Sequence, residues 1–291
     1  MNKLPAERRC AVIRALVEGN SIRATCRLTG AAKGTVLRLL AEIGTACTAL
    51  HDRMVRGIEA KRVQCDEIWS FTYGKERNLP DKLRGTPGVG DTWTWVGLDA
   101  ESKLAISWLV GDRDAPTALR FLKDLKERLA TRVQLTTDGH QVYYTAVENA
   151  FGWNGVDYAM LVKLYGPGLE TDRGYSPPRC VGAQKHWVMG RPDENHVSTS
   201  YVERQNLTIR MQMRRFTRLT NAFSKKIENH AHAVALHFVH YNFCRAHQTL
   251  TRAAKGIYRT PAMVARLTDH VWTVADIVAL LDTKADQKTA S

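Results

Sequence analysis

An α/β fold is predicted for this chain: a mixed sheet flanked by helices, with a small helical segment in front and further helix behind. Three observations predict it. Apolar residues recur at helical spacing through the first 50 residues and again beyond residue 200, whereas the runs between residues 63 and 164 are short and rich in β-branched and aromatic residues. Those runs come first as neighbours joined by a hairpin-length turn and then alternate with helical stretches, the order that builds a mixed sheet. Finally, 291 residues at 44% hydrophobic content supply one large domain with a sizeable core, plus one or two small appendages.

Pro5 opens the first helix, whose Val12, Ile13, Leu16 and Val17 recur at helical spacing. Glu18-Gly19-Asn20 ends it, and Ser21 is a good N-cap for a short second helix, Ile22 to Thr29. After a turn at Gly30, a third helix is expected from about Ala32 to Ile43, with Val36, Leu37, Leu40 and Ile43 inward. Helix, short helix, glycine turn, helix is the layout of a helix-turn-helix, whose recognition helix would show Lys33, Thr35 and Arg38 to a DNA major groove. The alternative is an ordinary three-helix bundle. A connecting helix is expected over residues 45–60.

Val63 to Tyr73 reads as the first strand, followed by the Gly/Pro/Lys loop KERNLPDKLRGTPGVGD. Trp93 to Asp99 and Leu104 to Val110 form a strand pair joined by Ala100–Lys103. Pro116 opens a helix through Leu129, Val133 to Thr137 is a strand, and a helix follows from about Gln141 to Phe151. Val156 to Leu164 reads as the last strand, leading into a long loop rich in Gly, Pro and Arg. Beyond it, a helix from about Ser200 carries Glu203, and more helix is expected from Ala222 through Tyr241. One or two short helices are expected from Pro261 to Asp282, with a frayed end over Thr283 to Ser291. The expected divisions are therefore a helix-turn-helix domain over 1–50, a connecting segment over 51–62, a catalytic domain over 63–250 and a helical tail over 251–291.

Forty-two Lys and Arg against 29 Asp and Glu give a net charge of +13, which favours a polyanionic partner, nucleic acid before an anionic membrane. No apolar stretch approaches the ~20 residues that span a bilayer. Charges interrupt the opening MNKLPAERRCAVIRAL, so it does not read as a signal peptide, and a cytoplasmic setting is expected. The six cysteines (Cys10, Cys26, Cys47, Cys65, Cys180 and Cys244) include no CxxC pair and read as reduced thiols.

Three acidic residues carry the chemistry: Asp66 in QCDEIWSF, Asp138 in QLTTDGHQVYY and Glu203 in STSYVERQNLTIR. Two strands and a helix can deliver them to one point, where carboxylate oxygens suit Mg²⁺ or Mn²⁺. Phosphodiester cleavage needs an activated hydroxyl and charge neutralisation at phosphorus, which two such ions can supply. Asp66 is followed by Glu67 in the same strand, and neighbouring strand residues point to opposite faces, so only one of the pair is expected to face the site. Asp138 lies at a strand end, where open sheets present ligand-binding residues, and Gly139 after it would let a substrate backbone approach. From Glu203 the same helix face continues through Asn206, Arg210 and Arg214, a carboxylate followed by DNA-contacting groups. Taken singly, an Asp after a strand is an ordinary turn residue or cap, and a Glu at a helix start pairs with the dipole.

In CDEIWSF (65–71), TTDG (136–139), YVERQNLTIRMQMRRFTRLTNAFSKK (201–226), YNFCRAHQTL (241–250) and TPAM (260–263) the chain resembles bacterial insertion-sequence transposases of the DDE type, most similar to the insertion-sequence-one family. The resemblance covers roughly residues 63–265, and the Glu203 helix is its most specific part. It implies a ribonuclease H-like catalytic domain with Asp66, Asp138 and Glu203 as ligands of Mg²⁺ or Mn²⁺, two ions per active site. It further implies strand cleavage and strand transfer on double-stranded DNA, transposon ends and target, by a homodimer or larger assembly in the bacterial nucleoid. Arg210 matches the basic residue that such enzymes place seven after the glutamate, a phosphate contact. The basic run RMQMRRFTR, with Arg214 and Arg215, continues it toward the DNA backbone. Some relatives begin with a cysteine-rich zinc ribbon, whose spacing is absent here.

His230, His232, His237, His240 and His247 crowd one region, but their spacing on a helix does not make one clean metal site. His247 is the candidate for an auxiliary role near the carboxylates. Trp69, Trp93, Trp95 and Trp108 are expected in the core, whereas Trp153 and Trp187 sit in turn-like contexts where either could stack on an unpaired base. The competing readings are a ribonuclease H-like nuclease without strand transfer, and a transposase-derived DNA-binding regulator.

Overall fold

The computed structural model describes residues 4–166, 180–217 and 221–289, the last seven as backbone only. Six strands form one mixed sheet: β1 (Arg62–Thr72), β2 (Gly90–Asp99), β3 (Ala105–Gly111), β4 (Val133–Asp138), β5 (Val156–Tyr165) and β6 (Cys180–Met189). Their spatial order is β3-β2-β1-β4-β5-β6. β1, β2 and β3 form an antiparallel meander, with a long loop over residues 73–89 joining the first pair and a tight turn joining the second. Helical crossovers through α4 (Ala115–Arg128) and α5 (Val142–Phe151) make β1, β4 and β5 parallel, because a parallel return needs a long connection. The helices flank the sheet, in agreement with the fold class expected from the sequence.

Some features differ from expectation. Residues 180–189, taken as loop, are the sixth strand, antiparallel to β5. Most of its side chains are exposed, so the burial alternation that marks a strand is missing. The rest of the expected Gly/Pro/Arg loop, 167–179, lies outside the described residues. At the front, α1 (Ala6–Val17) and α2 (Ile22–Thr29) fall where expected, with Ser21 Oγ accepting the Ala24 N–H at 3.1 Å and Gly30 closing α2 at φ 66°. The third helix does not end near Ile43: α3 runs unbroken from Lys33 to Met54. Gly44 is a crossing point rather than a helix stop, because a Cβ there would lie 2.4 Å from the Cβ of His232.

The C-terminal half contains α6 (Ser200–Gln212), α7 (Ile227–Val239) prolonged by a π-turn over His240–Cys244, α8 (Gln248–Ala253), α9 (Pro261–Val264) and α10 (Val274–Thr289). Thus α10 continues through most of the expected frayed end, and residues 290 and 291 lie outside the described range. The buried Asn242 side chain pairs with both backbone groups of Ala105, at 3.0 Å each, satisfying an edge of β3. That accounts for the asparagine of the YNFCRAHQTL phrase as a structural clamp. Arg9 makes a two-pronged contact with Asp282, 3.0 Å on each arm, tying α1 to α10. Of the four strand tryptophans only Trp95 is fully buried; Trp69, Trp93 and Trp108 are half-buried. The six cysteines are free. Among the described residues, no helix is long and apolar enough to cross a membrane.

Candidate metal centre

The site lies at a seam in the sheet. β1 pairs with β4 only through Arg62–Gln64, so the two strands part just before Asp66. The even-numbered side chains of β1 face α6: the Gln64 carboxamide oxygen accepts the N–H groups of Tyr201 at 2.8 Å and Val202 at 3.1 Å. Those groups have no partner within the helix, so Gln64 acts as an N-terminal cap that seats α6 on the sheet. Asp66 then receives the Asn206 amide at 2.8 Å on one oxygen and the Glu67 N–H at 2.9 Å on the other.

Glu67 points to the opposite face, as alternation demands, where the Tyr143 hydroxyl donates to it at 3.0 Å and Arg113 pairs with it at 2.6 Å. Its oxygens nonetheless stay close to those of the site. Asp66, Glu67 and Asp138 each offer an oxygen, and these lie within 4.8 Å of one another. Of the adjacent pair, only Asp66 lines the open cavity; the Glu67 side chain is 1% exposed and stands behind it. Asp138, the last residue of β4, is held by the His140 N–H at 3.0 Å. The role of Gly139 also differs from expectation: its missing Cβ leaves room for Val162, whose methyl would sit 2.9 Å away.

Glu203 lies in the first turn of α6 and lines the same cavity of about 500 Å³ as Asp66 and Asp138. Its carboxylate is outside the close group of three; it pairs with Lys163 of β5 and accepts from the Thr199 hydroxyl at 2.5 Å. Arg113 and His140 also line this cavity. Burial first, then Glu67 and Asp138, push the Asp66 carboxyl up to about 8. Burial and Asp138 raise Glu67 too, against the pull of Arg113. Three hard oxygen donors, with like charges crowded and partly buried, fit Mg²⁺ or Mn²⁺, and a divalent cation would relieve the repulsion that raises Asp66.

The remaining sequence candidates scatter. Asn206 faces Asp66 rather than open solvent, and Arg210 occupies the last turn of α6. Because α6 stops at Gln212, Arg214 and Arg215 fall in a 3-10 turn, Arg214–Phe216, and do not continue the helical stripe. Arg214 is exposed; Arg215 turns inward, donating to Ser224 Oγ at 2.7 Å. The end of the RMQMRRFTR run, Arg218, lies outside the described residues. In α3, Lys33 and Arg38 are exposed and Thr35 is half-buried; Lys33 shares a cavity wall with Arg214 and Arg215. His247 caps the start of α8 on the other side of α6 from the carboxylates. His230 and His237 are buried, and Trp153 and Trp187 are exposed. Sequence reasoning missed Glu67 as a close third oxygen, together with Arg113 and Lys163. Only the adjacency of Glu67 to Asp66 could have signalled the first.

No family profile and no curated protein matches the chain. Two solved structures align with part of it. One is a Mos1 transposase paired-end complex with the left transposon end, at 15% identity over 54% of this chain and 60% of that one, with a TM-score of 0.24. The other is a Mos1 strand transfer complex, at 15% identity over 54% and 59%, also with a TM-score of 0.24. The chain thus spans about three fifths of the length of each. Overlap at that score carries no weight for function.

Proposed function

We propose that the chain is a DDE-type transposase with a ribonuclease H-like core, cleaving and joining DNA strands with divalent metal. The observation that carries the reading is the convergence of Asp66, Asp138 and Glu203 on one cavity at the seam of a mixed sheet, with an oxygen of the buried Glu67 within 4.8 Å of those of Asp66 and Asp138. The net charge of +13 supports a polyanionic substrate, double-stranded DNA at element ends and target.

Asp66 and Asp138 would hold the metal from β1 and β4, and Glu203 would complete the set from α6. When bound, divalent ions neutralise charge at phosphorus and lower the pKa of an attacking hydroxyl. Asn206 fixes the rotamer of Asp66, while Arg113 and Tyr143 fix that of Glu67, so the oxygens are oriented before substrate arrives. Lys163, which now pairs with Glu203, stands where it can transfer its charge to a phosphate oxygen when Glu203 turns to metal. Both cleavage and joining are in-line displacements, so no covalent enzyme intermediate is needed. In this reading the three N-terminal helices, with Lys33, Thr35 and Arg38, form the DNA-reading domain. Arg210 and Arg214 hold the backbone, and paired ends call for a homodimer or larger assembly.

The test is a cleavage and joining assay on the DNA flanking the gene, with Mg²⁺ against EDTA. Metal-dependent nicks at defined ends and joined products, both lost in Asp138→Asn and Glu203→Gln, are expected. Nicks without joined products would replace the transposase with a nuclease. Binding without metal-dependent chemistry would leave a DNA-binding regulator.

A further inference from the structure

Helix α6 has a second cavity behind it, and its charge is opposite. While Glu203 and Asn206 turn to the carboxylates, Tyr201, Arg204, Gln205 and Thr208 face a cavity of about 310 Å³, closed on its far side by Lys103, Arg245 and His247. Its lining contains one lysine, two arginines, one histidine and no carboxylate. We propose that this cavity is a binding site for a phosphate group.

Lys103 is only 7% exposed, at a turn with φ 63°. Its ammonium sits 3.0 Å from the centroid of the Tyr201 ring and donates to the Ala100 carbonyl. Among the described residues, Lys103, Arg204 and Arg245 form no ion pair. Burying an ammonium is costly, and burial pushes Lys103 down to about 8 against the pull of Asp99 and Glu101, which lie outside the cavity lining. Two nitrogens are also left over. Gln205 is 3% exposed and its amide Nε2 has no hydrogen-bond partner; the Nδ1 of His247 is likewise buried and unpartnered. An amide donor, an ammonium and two guanidinium groups around one space suit a tetrahedral anion with several acceptor oxygens, because each guanidinium can bridge two of them.

The phosphate could belong to DNA or to a small phosphorylated compound. Only the choice of DNA rests on the transposase reading. A helix is about 10 Å thick, so a backbone phosphate here would lie on the order of three base-pair steps of 3.4 Å from one at the carboxylates.

The measurement is a ³¹P line-broadening titration of the full-length protein with inorganic phosphate, without divalent ions. Saturable binding is expected, weakened about tenfold or more in Arg204→Gln/Arg245→Gln, since each charge-assisted hydrogen bond contributes about 1.5–3 kcal/mol. It should be unchanged in Lys123→Gln/Lys126→Gln, which removes the same charge from exposed positions on α4, and in Asp138→Asn. Absence of saturable binding, or equal loss in the two charge-matched variants, overturns the proposal. All four substituted cations are exposed, and a thermal melt checks that each variant is folded. A second arm measures short-duplex binding in EDTA. A slope of log K against log salt shallower by about 0.9 in Arg204→Gln/Arg245→Gln assigns the phosphate to DNA. An unchanged slope with phosphate binding lost assigns it to a small compound. Neither arm uses cleavage, so failure here is separate from failure of the transposase reading.

Discussion

On one side of α6, three carboxylates crowd within 4.8 Å; on the other, Lys103, Arg204 and Arg245 share a cavity whose lining has no carboxylate. The two sides are built by one helix from interleaved positions, with Glu203 and Asn206 turned one way and Arg204, Gln205 and Thr208 the other. Each holds a group displaced toward neutrality by burial: Asp66 pushed up to about 8, Lys103 pushed down to about 8. A fold that lines the two sides of a single helix with groups of opposite charge is suited to take up ions of both signs, a divalent cation in front and a phosphate behind.

The most severe way to break this contrast is to remove a front carboxylate. Asp66→Asn or Asp138→Asn should lower metal-dependent cleavage roughly 10³-fold, the scale of removing a preorganised charge-stabilising group, and leave phosphate binding behind α6 intact. A Mn²⁺ titration and the ³¹P titration on the same samples check both halves.

Smaller effects sharpen the roles within the front cavity. Asn206→Ala should weaken metal binding about 10- to 100-fold, because Asp66 loses the donor that orients it. Glu203→Gln should reduce metal affinity more than Glu67→Gln does, since Glu203 lines the cavity and Glu67 is held behind it by Arg113 and Tyr143. Calorimetric Mn²⁺ binding to the two variants distinguishes them.

A structural control belongs outside both cavities. Gly44→Ala forces a methyl against His232 and should destabilise by about 1–3 kcal/mol in urea unfolding, without altering either ion's affinity. Gly34→Ala, with nothing within 4 Å, should be neutral or stabilising by up to about 1 kcal/mol.

The smallest effects are opposite pH slopes. The folded-state pKa of Asp66 is raised, so its contribution to stability is present at low pH and is lost as pH rises through about 4 to about 8. Metal replaces the proton, so the Mg²⁺-induced gain in Tm should grow from pH 6 to pH 8. Lys103 has a depressed pKa, so the unfolded chain binds the extra proton between about 8 and about 10.4, and stability contributed by the neutral amine is lost as pH falls through that window. Phosphate needs the charged form, so its Tm gain should shrink as pH rises from 8 to 10. Thermal melts with each ion across that range check both signs.

The phrases CDEIWSF, TTDG and SYVERQ were legible because strand ends and a helix start have strong local signatures, and the structure brings Asp66, Asp138 and Glu203 to one cavity. Glu67 was not, because its place depends on where β4 stops pairing with β1, a tertiary fact that local alternation does not encode. The fusion of the expected third and connecting helices into one α3 has the same kind of reason: that they continue through Gly44 depends on the close crossing with His232 of α7, which spacing does not show. β6 lacks a buried face to mark it. The rear cavity gathers Lys103 from the hairpin, Arg204 from α6 and His247 from the start of α8, a convergence that no spacing reveals.

The paired hold on the N-terminal helices has a mechanical consequence. α3 is a strut about 33 Å long, pinned against α7 at Gly44, and α1 is bolted to α10 through Arg9 and Asp282. Two fixings on different struts make a truss, which resists rotation as well as bending. The cations at the front of α3 therefore keep a set separation from the carboxylates of the sheet. A long molecule touching both places would be measured against that separation, as by a gauge whose length is written in the residue count of a single helix.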